Sequence, residues 1–589
     1  MKLRGLLGTV VMMVMVMGTF VSVSAENYYV TDETQTGKGN ISYPAGVTSL
    51  MTKTEFWTER TVTSAETILI GTNEINRLNA LALRTKSTNM NDLKSMEGTY
   101  DATALKNNLM NGEIPEDDCY LKGELLDKTT YFFEMSQDIA ETAYDGTREI
   151  QYGICVKGTP IKSWPTNDII GYSDKDTDDE IQISALVVNE PFVVKQIAYN
   201  DGHLFYWGYS DLVSGWVDAD NIALCKDKAE WLDAWQVSTD GKDFVVVVQD
   251  KIVLEPSMFA TYASEVKLQF STILKLVKKE EIPRQIEERG PWNNYVVYLP
   301  TRNEEGFYEK KMALISEHCK VSVGFLPLTQ KNLIDTSLQC LGNRYGWGGM
   351  LDAMDCSLFT RNVYKCCGVF LPRNTNWQQE IPGTRTDLSG LDDESKQKVL
   401  ETMPAGTLLY FRGHTMIYLG SVNHVGYVIS DLGNVSDSED SLDVRSVQSV
   451  AITPLTVRRG NGTTWLSNLT GAVAVAIPKP EVTTAEVTTK EKKLPKTKIK
   501  KVAVKKKRLK ITWKMIQGVT GYKLQYSKDA KFKKKKTITV KASKGTVTLK
   551  GIKKRTYYFR IRTYRKEKKK NAAILYYSAW SNIKRKKVS

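Results

Sequence analysis

The sequence predicts a multidomain α+β chain, with small strand-rich barrels ahead of a mixed α+β segment and a β-sandwich behind it. Three observations predict this. The chain has 589 residues, 41% apolar and 25% charged, enough for about four domains with ordinary cores. Wholly disordered and collagen-like classes are excluded. From Tyr152 the texture changes to short alternating strands separated by tight turns, the pattern of small barrels. Finally, the net charge of +14 hides two opposite bodies: from Lys490 onward there are 37 basic and 3 acidic side chains, against 44 and 64 before it.

Taken in order, Lys2 and Arg4 precede an apolar run from Val10 to Val21, broken by Gly18 and Thr19, and Val23-Ser24-Ala25 supplies a cleavage-like triplet. Residues 1–25 therefore read as a signal peptide, with Glu26 as the expected mature start. Glu26 is no lipidation site, so an exported protein with no membrane attachment after cleavage is expected. Residues 26–140 contain Ile68, Ile75, Leu78 and Leu81 at mostly helical spacing between Ser64 and Leu83, as in a partly helical accessory domain. Residues 141–230 carry strands around Phe192 and Leu204, the turn Asn200-Asp201-Gly202 and a closing Gly215-Trp216-Val217. A weaker strand-rich unit spans 231–328. Residues 478–497, rich in Thr, Pro and charge, read as a linker. Residues 498–589 give regular strands with an inward Trp513, as a sandwich core requires.

The eight cysteines follow no disulfide framework. The four histidines (His203, His318, His414 and His424) are scattered, and neither C-x-x-C nor H-E-x-x-H occurs. A conventional zinc site has little to be built from, and no metal or other cofactor is expected.

Chemistry concentrates at Cys356. Asp355-Cys356-Ser357 opens a helix whose positions Phe359, Val363 and Cys367 recur every four residues, with Gly368 as its stop. A cysteine at a helix start meets unpaired amides and the positive dipole end, which lower a thiol pKa. A buried structural role is the ordinary fate of a cysteine. This one, however, follows the Gly-rich turn Tyr345-Gly346-Trp347-Gly348-Gly349, which can bring backbone close to a substrate, and has a base downstream.

Tyr345-x-Trp347-Gly348-Gly349, then Asp355-Cys356-Ser357, then Leu371-Pro372-Arg373 and Gln378, resembles the NlpC-type family of papain-like cell-wall endopeptidases over residues 329–477. The segments YGICVKGTPIKSWPT, NEPFVVKQIAYNDGHLFYWGYS and SGWVDADNIAL resemble bacterial SH3-like domains, and 231–328 is read as a second such barrel. RLKITWKMIQGVTGYKLQYS through YYSAWS resembles a fibronectin type III domain. The resemblances imply a papain-like α+β catalytic domain preceded by SH3-like β-barrels and followed by a fibronectin type III β-sandwich.

The base should open a strand facing the cysteine. His414, 58 positions on, begins Met416-Ile417-Tyr418-Leu419 and follows the strand Pro404-Ala405-Gly406-Thr407-Leu408-Leu409-Tyr410-Phe411, as in the family. His424 is the rival, but it lacks that preceding strand; His203 and His318 read as surface groups. The family's third group, often a second histidine, falls here on Ser430 with Asp431 beside it. Alternation lets only one of the two face His414: Ser430 fits the alignment, Asp431 the electrostatics.

The resemblance implies cleavage of peptidoglycan stem peptides between γ-D-glutamate and a diamino acid, with Cys356 as nucleophile and His414 as base, and with Tyr345, Asp355 and Ser357 holding the stem. Asp355 and Ser357 serve equally well as helix caps. A wall-binding pseudoenzyme and a related thiol amidase or transpeptidase are the competing classes. The basic end would suit nucleic acid in a cytosolic protein. For an exported one, anionic polymers of a Gram-positive wall are the expected partner.

Overall fold

The computed structural model describes residues 29–31, 41–176, 178–436, 444–475, 494–505, 508–533, 535–549, 554–569 and 572–588. The expected signal peptide and most of the linker lie outside them. No helix among the described residues is long and apolar enough to cross a membrane. The chain divides into two compact units, 1–481 and 482–589.

The first unit is organised around a six-stranded antiparallel sheet, in the spatial order Thr384–Asp387, Gly471–Ala474, Leu408–Phe411, His414–Val422, Val425–Ser436 and Val444–Pro454. Strand side chains alternate between faces, and both faces of this sheet are apolar. Leu408, Tyr410, Ile417, Leu419 and Ile429 share a core with Leu333, Ile334, Phe359 and Val363 from the helices Gln330–Leu338 and Cys356–Lys365. On the other side Leu409, Phe411, Met416, Tyr418 and Val428 pack with Leu400, Trp465 and Leu469. Thr329 caps the Gln330–Leu338 helix, accepting the Asn332 amide at 3.1 Å.

Ahead of this sheet, a seven-stranded sheet runs Gln182–Leu186, Thr159–Lys162, Ser214–Asp218, His203–Tyr209, Pro191–Asn200, Gln151–Cys155 and Ile222–Cys225. Its tightest hairpin turns through Asp201 (φ 46°) and Gly202 (φ 77°), left-handed values that match the twist of the flanking strands. A further strand-rich region places Phe244–Val247 between Ile273–Lys275 and Val321–Val323 and has a core of its own around Val245, Leu268, Leu274, Val297 and Leu299.

Within the Ser64–Leu83 stretch the helix covers Thr72–Arg84. Ile75 and Leu78 are buried, whereas Ile68 and Leu81 are 58% and 39% exposed. The N-terminal region contributes to two cores. Val47, Met51, Trp57, Ile75 and Leu78 join the core of the six-stranded sheet, while Phe132, Met135 and Ile139 pack on Trp164 and Trp216. All eight cysteines are free thiols, so no disulfide cross-links these layers.

The second unit has two sheets. Ile499–Lys505, Arg508–Trp513 and Thr546–Leu549 form one; Gly521–Ser527, Lys535–Lys541, Thr556–Lys569, Ala572–Tyr577 and Lys584–Lys587 form the other. Ile511, Trp513, Tyr522, Leu524, Phe559 and Ile561 fill the shared core, with Trp513 inward.

Candidate active site

Asp355 is the N-cap of the Cys356–Lys365 helix. Its extended backbone frees the carboxylate to accept the amides of Ser357 (3.1 Å) and Leu358 (2.9 Å). Cys356 is the first helical residue. Every residue of this helix is buried, including its polar face. Arg361 pairs with Asp211 at 2.8 Å and Lys365 with Glu190 at 2.6 Å; both acids come from the region of the seven-stranded sheet. Gly368, at φ 77°, closes the helix in a conformation that costs glycine little.

Arg373 ties the helix start together. Its guanidinium forks onto Asp355 (2.6 and 3.1 Å), donates to the Ser357 hydroxyl (2.9 Å) and reaches Ser184 Oγ (2.8 Å). Burial alone would raise the Asp355 carboxyl, but Arg373 holds it below the usual carboxylate range. Gln378 donates to the carbonyls of Ser357 (2.8 Å) and Pro372 (3.0 Å). Asp355 and Ser357 thus have capping and pairing partners of their own, at 6% and 5% exposure. Half-buried Tyr345 lies close enough to the site for its hydroxyl to be pushed up by burial and by the charges of Asp355 and Cys356.

The Gly-rich turn does bring backbone close, but to another strand. Gly348 and Gly349 have φ of 64° and 86°, and a Cβ on Gly348 would stand 2.8 Å from the Gln182 carbonyl oxygen. Gln182 Nε2 donates to the Gly348 carbonyl at 3.0 Å. These glycines dock the segment that precedes Cys356 onto the Gln182–Leu186 strand.

The Cys356 residue is 8% exposed. Its sulfur lies 3.9 Å from Thr375 Oγ1 and receives the Thr415 amide. The start of the His414–Val422 strand therefore meets the start of the helix, one residue from His414. Burial, followed by the Asp355 charge, pushes the thiol up to about 12. This corrects the expected fall: a dipole effect of typically 0.3–1 kcal/mol is smaller than the cost of stripping water from a thiolate beside a carboxylate.

His414 follows a two-residue turn, Arg412-Gly413, with Gly413 at φ 84°. Its Nε2 lies 3.1 Å from Ser430 Oγ, and its ring packs 5.2 Å from Phe411 and 5.0 Å from Trp465. Part of its surface remains accessible. Even so, burial and then the Arg459 charge push the imidazole down to about 3. Cross-strand register puts Ser430 on the face of Met416 and the His414 ring, and Asp431 on the opposite face, across from Thr415. Asp431 is fully buried, neither carboxylate oxygen has a hydrogen-bond partner among the described residues, and burial pushes it up to about 9.

His424 sits at the other end of that hairpin, in the Asn423-His424 turn (φ 50° and 60°). Its side chain is 89% exposed and its Nδ1 is 3.0 Å from Glu401. His203, with Asp218 and Asp220, forms an exposed group in the strand-rich region; His318 is exposed as well. Thr375, Thr415 and Arg459 carry no motif that spacing could have flagged. Arg373 stands in the Leu-Pro-Arg motif, but its partners emerge only in the fold.

Residues 342–458 match the NlpC/P60 family. The chain is 28% identical over 191 residues to dipeptidyl-peptidase 6 of Lysinibacillus sphaericus, covering 31% of this chain and 62% of that one. It is 35% identical over 125 residues to the γ-D-glutamyl-L-lysine dipeptidyl-peptidase of Bacillus cereus, covering 21% and 31%. The match thus spans less than two thirds of either relative. An NlpC/P60 endopeptidase from Photobacterium damselae subsp. piscicida shares the fold, with a TM-score of 0.52 at 16% identity over 69% of this chain and 94% of that one. Residues 342–458 are therefore an NlpC/P60 domain.

Proposed function

We propose that the protein is a secreted, wall-associated cysteine peptidase that hydrolyses peptidoglycan stem peptides between γ-D-glutamate and a diamino acid. The observation that carries this reading is the meeting of the Cys356 sulfur with the Thr415 amide, beside a histidine whose Nε2 is engaged by Ser430. The Bacillus cereus relative, named for a γ-D-glutamyl-L-lysine peptidase, supports the substrate class.

Both partners rest uncharged, with the thiol near 12 and the imidazole near 3, so proton transfer accompanies attack instead of preceding it. In this reading His414, its Nε2 engaged by Ser430, is the base that takes the thiol proton as the sulfur bonds to the scissile carbonyl carbon. In this reading the Cys356 amide, at the helix start, donates to the developing oxyanion. The imidazolium returns the proton to the departing amine as the C–N bond breaks. Water, with its proton passing to His414, then hydrolyses the thioester and frees the thiol. The chemistry calls for no cofactor. Tyr345 is assigned to substrate binding; Asp355 and Ser357 act by holding the helix start. The flanking units fit SH3-like barrels and a fibronectin type III sandwich, and the basic end fits retention at an anionic wall.

One observation favours the competing reading of an inactive wall-binding protein: burial holds the thiol firmly protonated. Incubating the full chain and Cys356→Ala with muropeptides, followed by mass analysis, separates the readings. Cleavage at the γ-glutamyl bond by the unaltered chain alone supports the peptidase. No cleavage by either favours the inactive protein, and cleavage elsewhere an amidase or transpeptidase.

A further inference from the structure

The C-terminal unit's charge is unevenly arranged on its larger sheet. Tyr557, Phe559 and Ile561 of the Thr556–Lys569 strand point into the core. The intervening Tyr558, Arg560, Arg562 and Tyr564 therefore stand on the outer face. Register aligns Lys523 with Arg562, Gln525 with Arg560 and Tyr558 with Arg585, and on the other flank Lys541 with Gly521 and Lys535 with Ser527.

This face is tied into one surface. Arg560 Nε donates to Gln525 Oε1 at 2.9 Å, and Lys523 Nζ to Thr539 Oγ1 at 2.6 Å. Trp580 lies between two guanidinium groups, 4.5 Å from Arg560 and 4.4 Å from Arg562; Phe532 (4.3 Å from Arg560) and Tyr577 (3.9 Å from Arg562) extend the stack. A stacked guanidinium is held flat. The acid with a described side chain in this unit is Asp529, which is occupied by the Lys531 and Lys533 amides in the turn before the edge strand. No carboxylate among the described side chains stands on the face.

We infer that this outer sheet face, carrying Lys523, Lys535, Lys541, Arg560, Arg562 and Arg585, binds an anionic phosphodiester polymer of the cell wall, of the polyol-phosphate type. Charge complementarity is the argument. Alternate residues on one strand lie about 6.8 Å apart and neighbouring strands about 4.8 Å apart, a grid of cations that an extended phosphodiester chain can follow. Guanidinium groups pair with phosphate through two parallel N–H bonds. The choice of a wall polymer over nucleic acid rests on the proposed function above.

The test is cosedimentation of the full chain with purified Gram-positive walls, intact or stripped of phosphodiester polymer by hydrofluoric acid, at rising salt. The unaltered chain should bind intact walls, bind stripped walls at least about tenfold more weakly, and lose affinity steeply with salt. The double variant Lys535→Glu/Lys541→Glu changes exposed positions on this face and should lose roughly tenfold or more, with a shallower salt slope. Arg508→Glu/Lys510→Glu makes the same charge change on the exposed side of the smaller sheet and should lose less than about threefold. Equal loss in both variants overturns the face assignment, and equal binding to stripped walls overturns the polymer. Binding to a single-stranded oligonucleotide but not to intact walls replaces the wall polymer with nucleic acid. Hydrolysis of soluble muropeptides, measured on the same variants, reports separately on the peptidase reading and should not change.

Discussion

Replacing Asp431 with Asn should stabilise the protein, and more so as pH rises. The carboxyl is fully buried with both oxygens unpartnered, and burial lifts it from an ordinary 3.8 to about 9. The folded chain therefore keeps the proton between about pH 4 and 9, whereas the unfolded chain releases it. The unfolded state binds fewer protons across that window, so this group lowers stability as pH increases. At about 1.4 kcal/mol per pH unit, the penalty is roughly 4 kcal/mol at pH 7 and about 1.6 kcal/mol at pH 5. An Asn amide fills the same space and leaves a neutral unpartnered group much like the protonated acid, so their burial costs roughly cancel. Hydrogen exchange read by mass spectrometry on peptides of the His414–Val422 and Val425–Ser436 hairpin, in the full chain at pH 5 and pH 8, isolates this region. The variant's opening free energy should exceed the original's by a margin that widens by about 4 kcal/mol between those pH values. A margin that does not change with pH, or a variant less protected at both, refutes the assignment of Asp431 as a buried neutral acid.

Alkylation of Cys356 by iodoacetamide should be slow at pH 7 and climb about tenfold per pH unit through pH 10, because the thiol is pushed up to about 12; a plateau near neutral pH would contradict that. Ser430→Ala should lower kcat roughly tenfold with little change in KM, since the hydroxyl engages Nε2 of His414; steady-state kinetics on a soluble muropeptide decide this. Arg373→Met should cost about 3–5 kcal/mol of stability, measured by urea denaturation, because it leaves the buried Asp355 carboxylate without its cation.

Much of the local structure was legible in the sequence. The four-residue recurrence of Phe359, Val363 and Cys367 and the stop at Gly368 mark the Cys356–Lys365 helix, because periodicity and glycine's left-handed freedom act over a few residues. The order of strand and histidine favoured His414 over His424; His424 lies in an exposed turn. Strand alternation also required that Ser430 and Asp431 face opposite ways, without saying which met the ring.

Tertiary structure decided the rest. The helix's polar face is buried because Glu190 and Asp211, well over a hundred residues earlier in the chain, neutralise Lys365 and Arg361. Gly348 and Gly349 serve an interface with the Gln182–Leu186 strand. The thiol rises instead of falling because water is excluded around it and Asp355 adjoins it. Capping and periodicity are properties of neighbouring residues along the chain. Desolvation and charge pairing are sums over whatever the fold brings near, and no stretch of sequence contains that sum.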